Sequence, residues 1–283
     1  MSNPSTANAA AAGTIDVGGD LRVHRLGYGA MRLTGPQIWG EPQDPQTARR
    51  VLQRAVELGV NFIDTADSYG PEVNERLIAE ALHPYPAGLV IATKGGLVRP
   101  GPGEWERDGR PAHLRQACEA SLRRLRVERI ALYQLHAPDP RVPIEDSLGE
   151  LRKLQQEGKI QHVGVSNFGV AELRRAERIV TIVSVQNRYN ASDRRYDDVI
   201  EYCEQRRMAF IPWYPLAAGD HARSAASTQL QSIAKRYQLT DAQAAIAWLL
   251  ARSPVMLPIP GTSSPQHLEE NIAAAQVRID EHG

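Results

Sequence analysis

Val60-Asn-Phe-Ile-Asp64, the polar loop Thr65-Ala-Asp-Ser-Tyr69-Gly70-Pro71, the segment 74–82 and Leu89-Val-Ile-Ala-Thr-Lys94 form one unit of the chain. The outer runs are short and apolar and lie next to turn residues, as buried strands do, while the middle segment spaces its apolar residues as a helix does. Two strands joined through a helix read as a βαβ unit with a parallel pair.

The same pattern recurs on both sides. Strand-like runs lie at 25–31, 60–64, 89–94, 130–136, 160–165, 182–186, 209–213 and 255–259, and helical spacing at 45–58, 74–82, 112–125, 144–157, 170–178, 196–206, 240–252 and 266–275. A further helical piece, 228–237, makes the connection between strands seven and eight longer than the rest. Eight such units point to a closed (β/α)8 TIM barrel. The rival, an open doubly wound sheet, lacks its Gly-x-Gly-x-x-Gly turn after the first strand. Thr14-Ile-Asp-Val17 and Leu21-Arg-Val-His24 flank Gly18-Gly19-Asp20 as a β-hairpin that would cover the bottom of the barrel. Residues 1–13, small and polar, read as a flexible N-terminal tail, and 14–283 as a single domain.

The 283 residues carry 33 Lys plus Arg against 33 Asp plus Glu. A net charge of zero gives no global field for nucleic acid or anionic lipid, so neither is expected as a partner. With 42% hydrophobic residues the chain can bury a large core, yet no run is long enough to span a bilayer. Cys118 and Cys203 are too few for a disulfide framework, no metal-site spacing occurs, and a cytoplasmic monomer is the default expectation.

In a barrel, the polar residues at the C-terminal strand ends carry the chemistry. Here they are Asp64 with Tyr69 just beyond, Lys94, His136, Ser166-Asn167, Gln186 and Trp213-Tyr214. A phenol is a weak acid at neutral pH unless a cation favours the phenolate; Lys94 could be that cation and Asp64 could hold it charged. His136 could hydrogen-bond a carbonyl oxygen. The set suits carbonyl reduction, with the hydride coming from a nicotinamide or flavin because no side chain supplies one.

Phe62-Ile-Asp64-Thr-Ala-Asp-Ser-Tyr69-Gly70, Thr93-Lys94, Leu135-His136, Gly164-Val-Ser-Asn167-Phe168, Val185-Gln186-Asn-Arg-Tyr-Asn190, Pro215-Leu216 and Ile259-Pro-Gly-Thr262 with His267-Leu-Glu-Glu-Asn271 resemble, in order, the signatures of the aldo-keto reductases. The resemblance runs from about Arg25 to Asn271 and implies a barrel that reduces aldehydes or ketones with NADPH. It makes Tyr69 the general acid, Lys94 and Asp64 its pKa-lowering partners and His136 the residue that orients the carbonyl. Ser166, Asn167 and Gln186 would hold the nicotinamide carboxamide and Trp213 would stack on its ring, with Gly29 and Met31 also at the cofactor. Tyr214, Pro215, Leu216 and amides up to Gly219 would follow the pyrophosphate. Gly261, Thr262, Ser263 and Ser264 would meet the 2′-phosphate, and His267, Glu270 and Asn271 the adenine.

Many members place Lys or Arg where this chain has Gly261 and His267. Here the hydroxyls of Thr262, Ser263 and Ser264, the His267 ring, the N-terminus of a helix starting near Ser264 and Arg223 would take over, which leaves NADH open beside NADPH. The stretches 25–36 and 259–264 also resemble a bacterial branch that includes pyridoxal reductases, with Met31, Trp39, Tyr69 and His136 as the substrate pocket.

Each residue has a plainer reading. Asp64 could cap a helix, Tyr69 could pack on the rim, Lys94 could pair structurally and Trp213 could be core; it is the joint occurrence that points to chemistry. Trp105 reads as loop packing or a substrate gate. Two rival functions fit the same residues: an aldolase using Lys94 as a Schiff-base amine, and a cofactor-sensing subunit on the same fold.

Overall fold

The structure, a computed structural model, describes residues 7–217 and 225–279. Its strands are β1 (Thr14–Val17), β2 (Leu21–His24), β3 (Tyr28–Gly29), β4 (Phe62–Asp64), β5 (Val90–Gly95), β6 (Leu97–Val98), β7 (Glu106–Arg107), β8 (Ile130–Leu135), β9 (Ile160–Ser166), β10 (Ile182–Arg188) and β11 (Ala209–Trp213). Its helices are α1 (Pro45–Glu57), α2 (Val73–Leu82), α3 (Pro111–Leu125), α4 (Ile144–Gln156), α5 (Val170–Ala176), α6 (Asp197–Arg206), α7 (Ala225–Tyr237), α8 (Asp241–Arg252) and α9 (Pro265–Ala273). Local chemistry sets their ends. The Asp44 carboxylate accepts the Thr47 N–H ahead of Pro45 at the start of α1, and Thr240 and Gln243 form a reciprocal capping box on α8.

Seven parallel strands pair in the order β3-β4-β5-β8-β9-β10-β11. Residues 255–260 close the ring. Phe210 donates its N–H to Val255 and accepts from Leu257 on one side; on the other, Gly27 and Gly29 donate to the carbonyls of Pro258 and Pro260. The eighth run is thus extended as the sequence reading expects, but it forms only an isolated bridge, Phe210 to Met256. Pro258 and Pro260 have no N–H to return, so a two-way ladder cannot form. The first run is likewise shorter than 25–31, because Ala30–Leu33 turns into a 3-10 helix.

Inside the ring, Phe62, Val90, Ala92, Leu132, Val183, Ala209, Ile211, Leu257 and Ile259 pack with Val17 and Val23 of the β1-β2 hairpin, which plugs the bottom. Between strands and helices lie two larger apolar clusters, one on each side of the barrel. The flexible tail expected for 1–13 is corrected for its described part, 7–13. Ala9–Ala12 forms a 3-10 helix capped by Asn8, the Ala9 N–H donates to Leu58 at 2.8 Å, and Ala9 and Ala12 are buried. Alanine loses almost no side-chain entropy on docking, so a run that looks featureless in sequence can be held against α1 and the C-terminal turn.

Candidate active site

Asp64 ends β4, Lys94 lies in β5, and His136 follows β8, so parallel pairing brings all three to one end of the barrel. Lys94 is fully buried and donates to three oxygens: Asp64 Oδ1 at 2.6 Å, the Thr65 carbonyl at 2.9 Å and the Tyr69 hydroxyl at 3.4 Å. Each ammonium hydrogen therefore has an acceptor. Because Tyr69 accepts from Lys94, its own O–H is left to point elsewhere. Asp64 Oδ2 accepts from Gln186 at 2.8 Å and Gln134 at 3.3 Å, which completes the pair inside the low-dielectric barrel. The rings of Tyr69 and His136 meet edge to face with centroids 5.9 Å apart, and Ser68 Oγ lies 3.4 Å from His136 Nδ1.

Burial lowers the ammonium's proton affinity, but the charge of Asp64 and the Tyr69 oxygen outweigh it, so the Lys94 pKa is raised. His136 is pushed well below its ordinary range by burial and by Lys94, and is a neutral imidazole at pH 7. Tyr69 departs from the expectation. Its pKa is raised, because burial outweighs the pull of Lys94 and the Asp64 carboxylate itself opposes ionisation. Asp64 is thus no pKa-lowering partner of the phenol; it acts on Lys94.

The Tyr69 ring faces a cavity of about 470 Å³ whose wall also includes Gly29, Met31, Asp64, His136, Ser166, Asn167, Gln186, Trp213, Tyr214, Pro215, Leu216 and Gly261. Asn167 and Tyr214 adopt left-handed φ of 64° and 61° at strand ends. Asn167 bridges the site: its Nδ2 donates to the His136 carbonyl at 3.1 Å and its Oδ1 accepts from Trp213 Nε1 at 3.0 Å. Trp213 is therefore half-buried on the cavity wall, not a core residue. The Gln186 amide nitrogen is committed to Asp64, so its carbonyl end is the one left for a carboxamide. Lys94 is not on the wall and spends its hydrogens on three acceptors, which argues against a Schiff-base amine.

Other expected residues lie off this wall. Trp39 does not line it; its neighbour Ile38 does, and the Trp39 ring packs under Arg99. Ser263 lines an adjoining cavity of about 710 Å³ with Met31, Arg32 and Trp105. The Thr262 carbonyl accepts from buried Tyr28, Thr262 Oγ1 accepts from the Ser264 N–H, and Ser264 caps α9 by accepting from His267 N–H at 3.4 Å. The Glu270 carbonyl accepts from Gln243, and Asn271 lies on the buried face of α9. Gly219 and Arg223 lie outside the described residues.

The sequence reading missed Gln134 and Arg32. Gln134 sits two residues before His136 on β8, on the same inward face, and that period of two was a usable signal. Arg32 lines both cavities, with its Cγ 3.6 Å from where a Gly261 side chain would begin. A Cβ at Gly261 would lie 2.6 Å from the Gly29 carbonyl, so the close approach of the first and last barrel segments excludes a basic side chain there.

A buried acid, ammonium and phenol beside a neutral imidazole, at the mouth of a parallel barrel, define an oxidoreductase that handles carbonyl or alcohol groups. The chain belongs to the Aldo/keto reductase family, whose sequence profile matches residues 25–282. It is 52% identical over 275 residues to an uncharacterized oxidoreductase of Schizosaccharomyces pombe, covering 97% of this chain and 89% of that one. It is 40% identical to pyridoxine 4-dehydrogenase of Escherichia coli over 93% of both chains. The solved structure of a glycerol dehydrogenase from Gluconobacter oxydans superposes with a TM-score of 0.86 at 27% identity, over 96% of this chain and 92% of that one. A solved aldo-keto reductase from Klebsiella pneumoniae in complex with NADPH shares the fold, with a TM-score of 0.79 at 24% identity over 95% of this chain and 91% of that one. No helix among the described residues is long and apolar enough to cross a membrane.

Proposed function

We propose that this chain reduces an aromatic or heteroaromatic aldehyde, of the pyridoxal type, to its alcohol with NADPH. One observation carries the reading: the Asp64–Lys94–Tyr69 chain of hydrogen bonds ends on the wall of the cavity beside His136. The 40% identity to a pyridoxine dehydrogenase supports the substrate class.

NADPH, when bound, supplies the hydride. The residues do the rest. Neutral His136, its Nδ1 facing Ser68, presents Nε2–H to the substrate oxygen, and Tyr69 gives that oxygen its phenolic proton as negative charge develops. An alkoxide is a far stronger base than a phenolate, so a phenol with a raised pKa still serves. Lys94, already donating to the phenol oxygen, stabilises the phenolate that forms, and Asp64 keeps Lys94 charged and aimed. Ser166, Asn167 and the carbonyl end of Gln186 suit a carboxamide, and Trp213 suits a flat ring. At the phosphate end the fit rests on Thr262, Ser263, the Ser264-capped N-terminus of α9 and Arg32, which makes no ion pair with a described residue. Arg32 offers charge beside Gly261, and it is the reason to favour NADPH over NADH.

We further propose that the protein works as a monomer in the cytoplasm, where the buried free thiols of Cys118 and Cys203 would stay reduced. The test is oxidation of NADPH by pyridoxal and benzaldehyde. Tyr69→Phe is expected to lose about 10²–10⁴-fold in kcat with NADPH affinity retained. Full turnover in that variant would reject Tyr69 as the acid.

A further inference from the structure

The loop between β6 and β7 carries Trp105, the one large hydrophobic side chain exposed among the described residues, at 39%. An exposed tryptophan in a loop is ordinarily free to move, yet this one is held. The Arg99 guanidinium lies 3.8 Å from the centre of its ring. Arg99 is itself buried, and its donors reach three different loops. Nε bonds the Glu104 carbonyl at 2.7 Å, Nη1 the Ile38 carbonyl at 2.8 Å and the Ser68 carbonyl at 3.4 Å, and Nη2 the Gln37 carbonyl at 2.9 Å. Trp39 packs at 5.7 Å from the same guanidinium.

Two features show that this arrangement holds its parts under load. Gln37 and Ile38 both adopt left-handed φ, at 58° and 59°, which a β-branched residue does only when its surroundings enforce it. Their carbonyls are the ones that Arg99 binds. Next, the same loop is pinned to the residue after Tyr69, since Gly40 donates to the Gly70 carbonyl at 2.7 Å and Gly70 donates back to Ile38 at 3.3 Å. Arg99 thus ties the Trp105 loop to the segment that carries the phenol.

With Arg99 on its ring, Trp105 presents edge-to-face contacts to both site rings. Its centroid is 6.5 Å from Tyr69 at 81° and 6.4 Å from His136 at 73°, and it lines the cavity they share. We infer that Arg99 is a positioning residue that fixes Trp105 as an aromatic wall, and that this wall selects flat aromatic carbonyl compounds over saturated ones of the same size. The inference rests on the carbonyl-reductase reading above. Aromatic contacts favour one another over aliphatic contacts of equal area, by a margin that translates to about 3- to 10-fold in affinity.

The experiment compares benzaldehyde with cyclohexanecarbaldehyde, two carbonyls of similar size that differ in flatness, on wild type and on Trp105→Ala, Trp105→Phe, Arg99→Met and Arg99→Lys. Trp105→Ala is expected to raise KM for benzaldehyde about 3- to 10-fold and to change KM for the saturated aldehyde far less, with the NADPH Kd unchanged. Trp105→Phe restores most of the preference. Arg99→Met reproduces the Trp105→Ala pattern, and Arg99→Lys repeats it in part, because an ammonium lacks the planar fork that serves three loops. The double variant Arg99→Met/Trp105→Ala adds nothing further, as expected of a residue acting through another. Equal losses for both aldehydes, or effects of the two sites that multiply, overturn the inference. If wild type reduces neither aldehyde, the functional reading has failed; calorimetric binding of the same two compounds to wild type and Trp105→Ala then decides the wall by itself, equal wild-type affinities for the two compounds, or a preference that Trp105→Ala keeps, counting against it.

Discussion

Two layers of the barrel interior differ by a single step of two residues. On β4 it runs from Phe62 to Asp64, on β5 from Ala92 to Lys94, and on β8 from Leu132 to Gln134. Residues two apart point to the same face, so the first of each pair packs in the apolar interior with Val17 and Val23, and the second joins the ionic group around Lys94. About 7 Å along the strands separates a dry plug from a charged site. The plug excludes water from below, which strengthens the charge interactions above it, and the site in turn needs every donor and acceptor paired.

Removing Lys94 breaks the upper layer most severely. Lys94→Met should lower kcat by about 10²–10⁴-fold, because the phenolate loses its stabilising donor. It should also cost about 3–5 kcal/mol of stability, since Asp64 is left buried without its countercharge. Steady-state kinetics and denaturant unfolding read the two losses separately. Phe62→Ala in the lower layer should cost a similar 3–5 kcal/mol through the cavity it opens, yet leave KM near wild type in the folded fraction. If KM rises tenfold while stability holds, the two layers do not divide the work as described.

A smaller effect concerns Asp67, on the loop between Asp64 and Tyr69. It is buried, its Oδ1 has no partner among the described residues, and burial together with the nearby Glu75 charge raises its pKa well above the carboxylate range. The folded state therefore holds this proton where the unfolded chain has released it. Its contribution is present below about pH 3.9 and is lost as pH rises toward the folded value. Asp67→Asn should accordingly gain in Tm relative to wild type between pH 4 and pH 8. A difference in Tm that stays flat across that range would show that Asp67 ionises freely. His136 works in the opposite sense: its depressed pKa means that stability falls as pH drops below about 6.5, where the unfolded imidazole takes up a proton.

The smallest change expected is at the rim. Arg32→Ala should weaken NADPH binding by about 3- to 10-fold and leave NADH binding unaltered, measured by quenching of protein fluorescence. Equal weakening of both would move Arg32 from the 2′-phosphate to the pyrophosphate.

Much of this was legible beforehand because it depends on period and spacing. The alternation in Phe62-Ile-Asp64 and Thr93-Lys94 places the acid and the ammonium on one inward face at the C-terminal strand ends. Trp39 was misplaced for a different reason. The left-handed turn at Gln37 and Ile38 sends Ile38 to the cavity wall and Trp39 beneath Arg99, and no local rule predicts positive φ at isoleucine.

By itself, then, the sequence determined the strand and helix periods, the apolar and polar faces, and the types of residue at each strand end. These follow from the geometry of the backbone and hold wherever the chain folds into those elements. Only the tertiary structure decided which groups share protons and which charges prevail. The raised pKa of Tyr69, the pairing of Gln186 with Asp64, the exclusion of a side chain at Gly261 and the clamp of Arg99 on Trp105 all arise between residues distant in the chain. Their balance depends on burial and on separations of a few ångströms, set only once the ring of strands has closed.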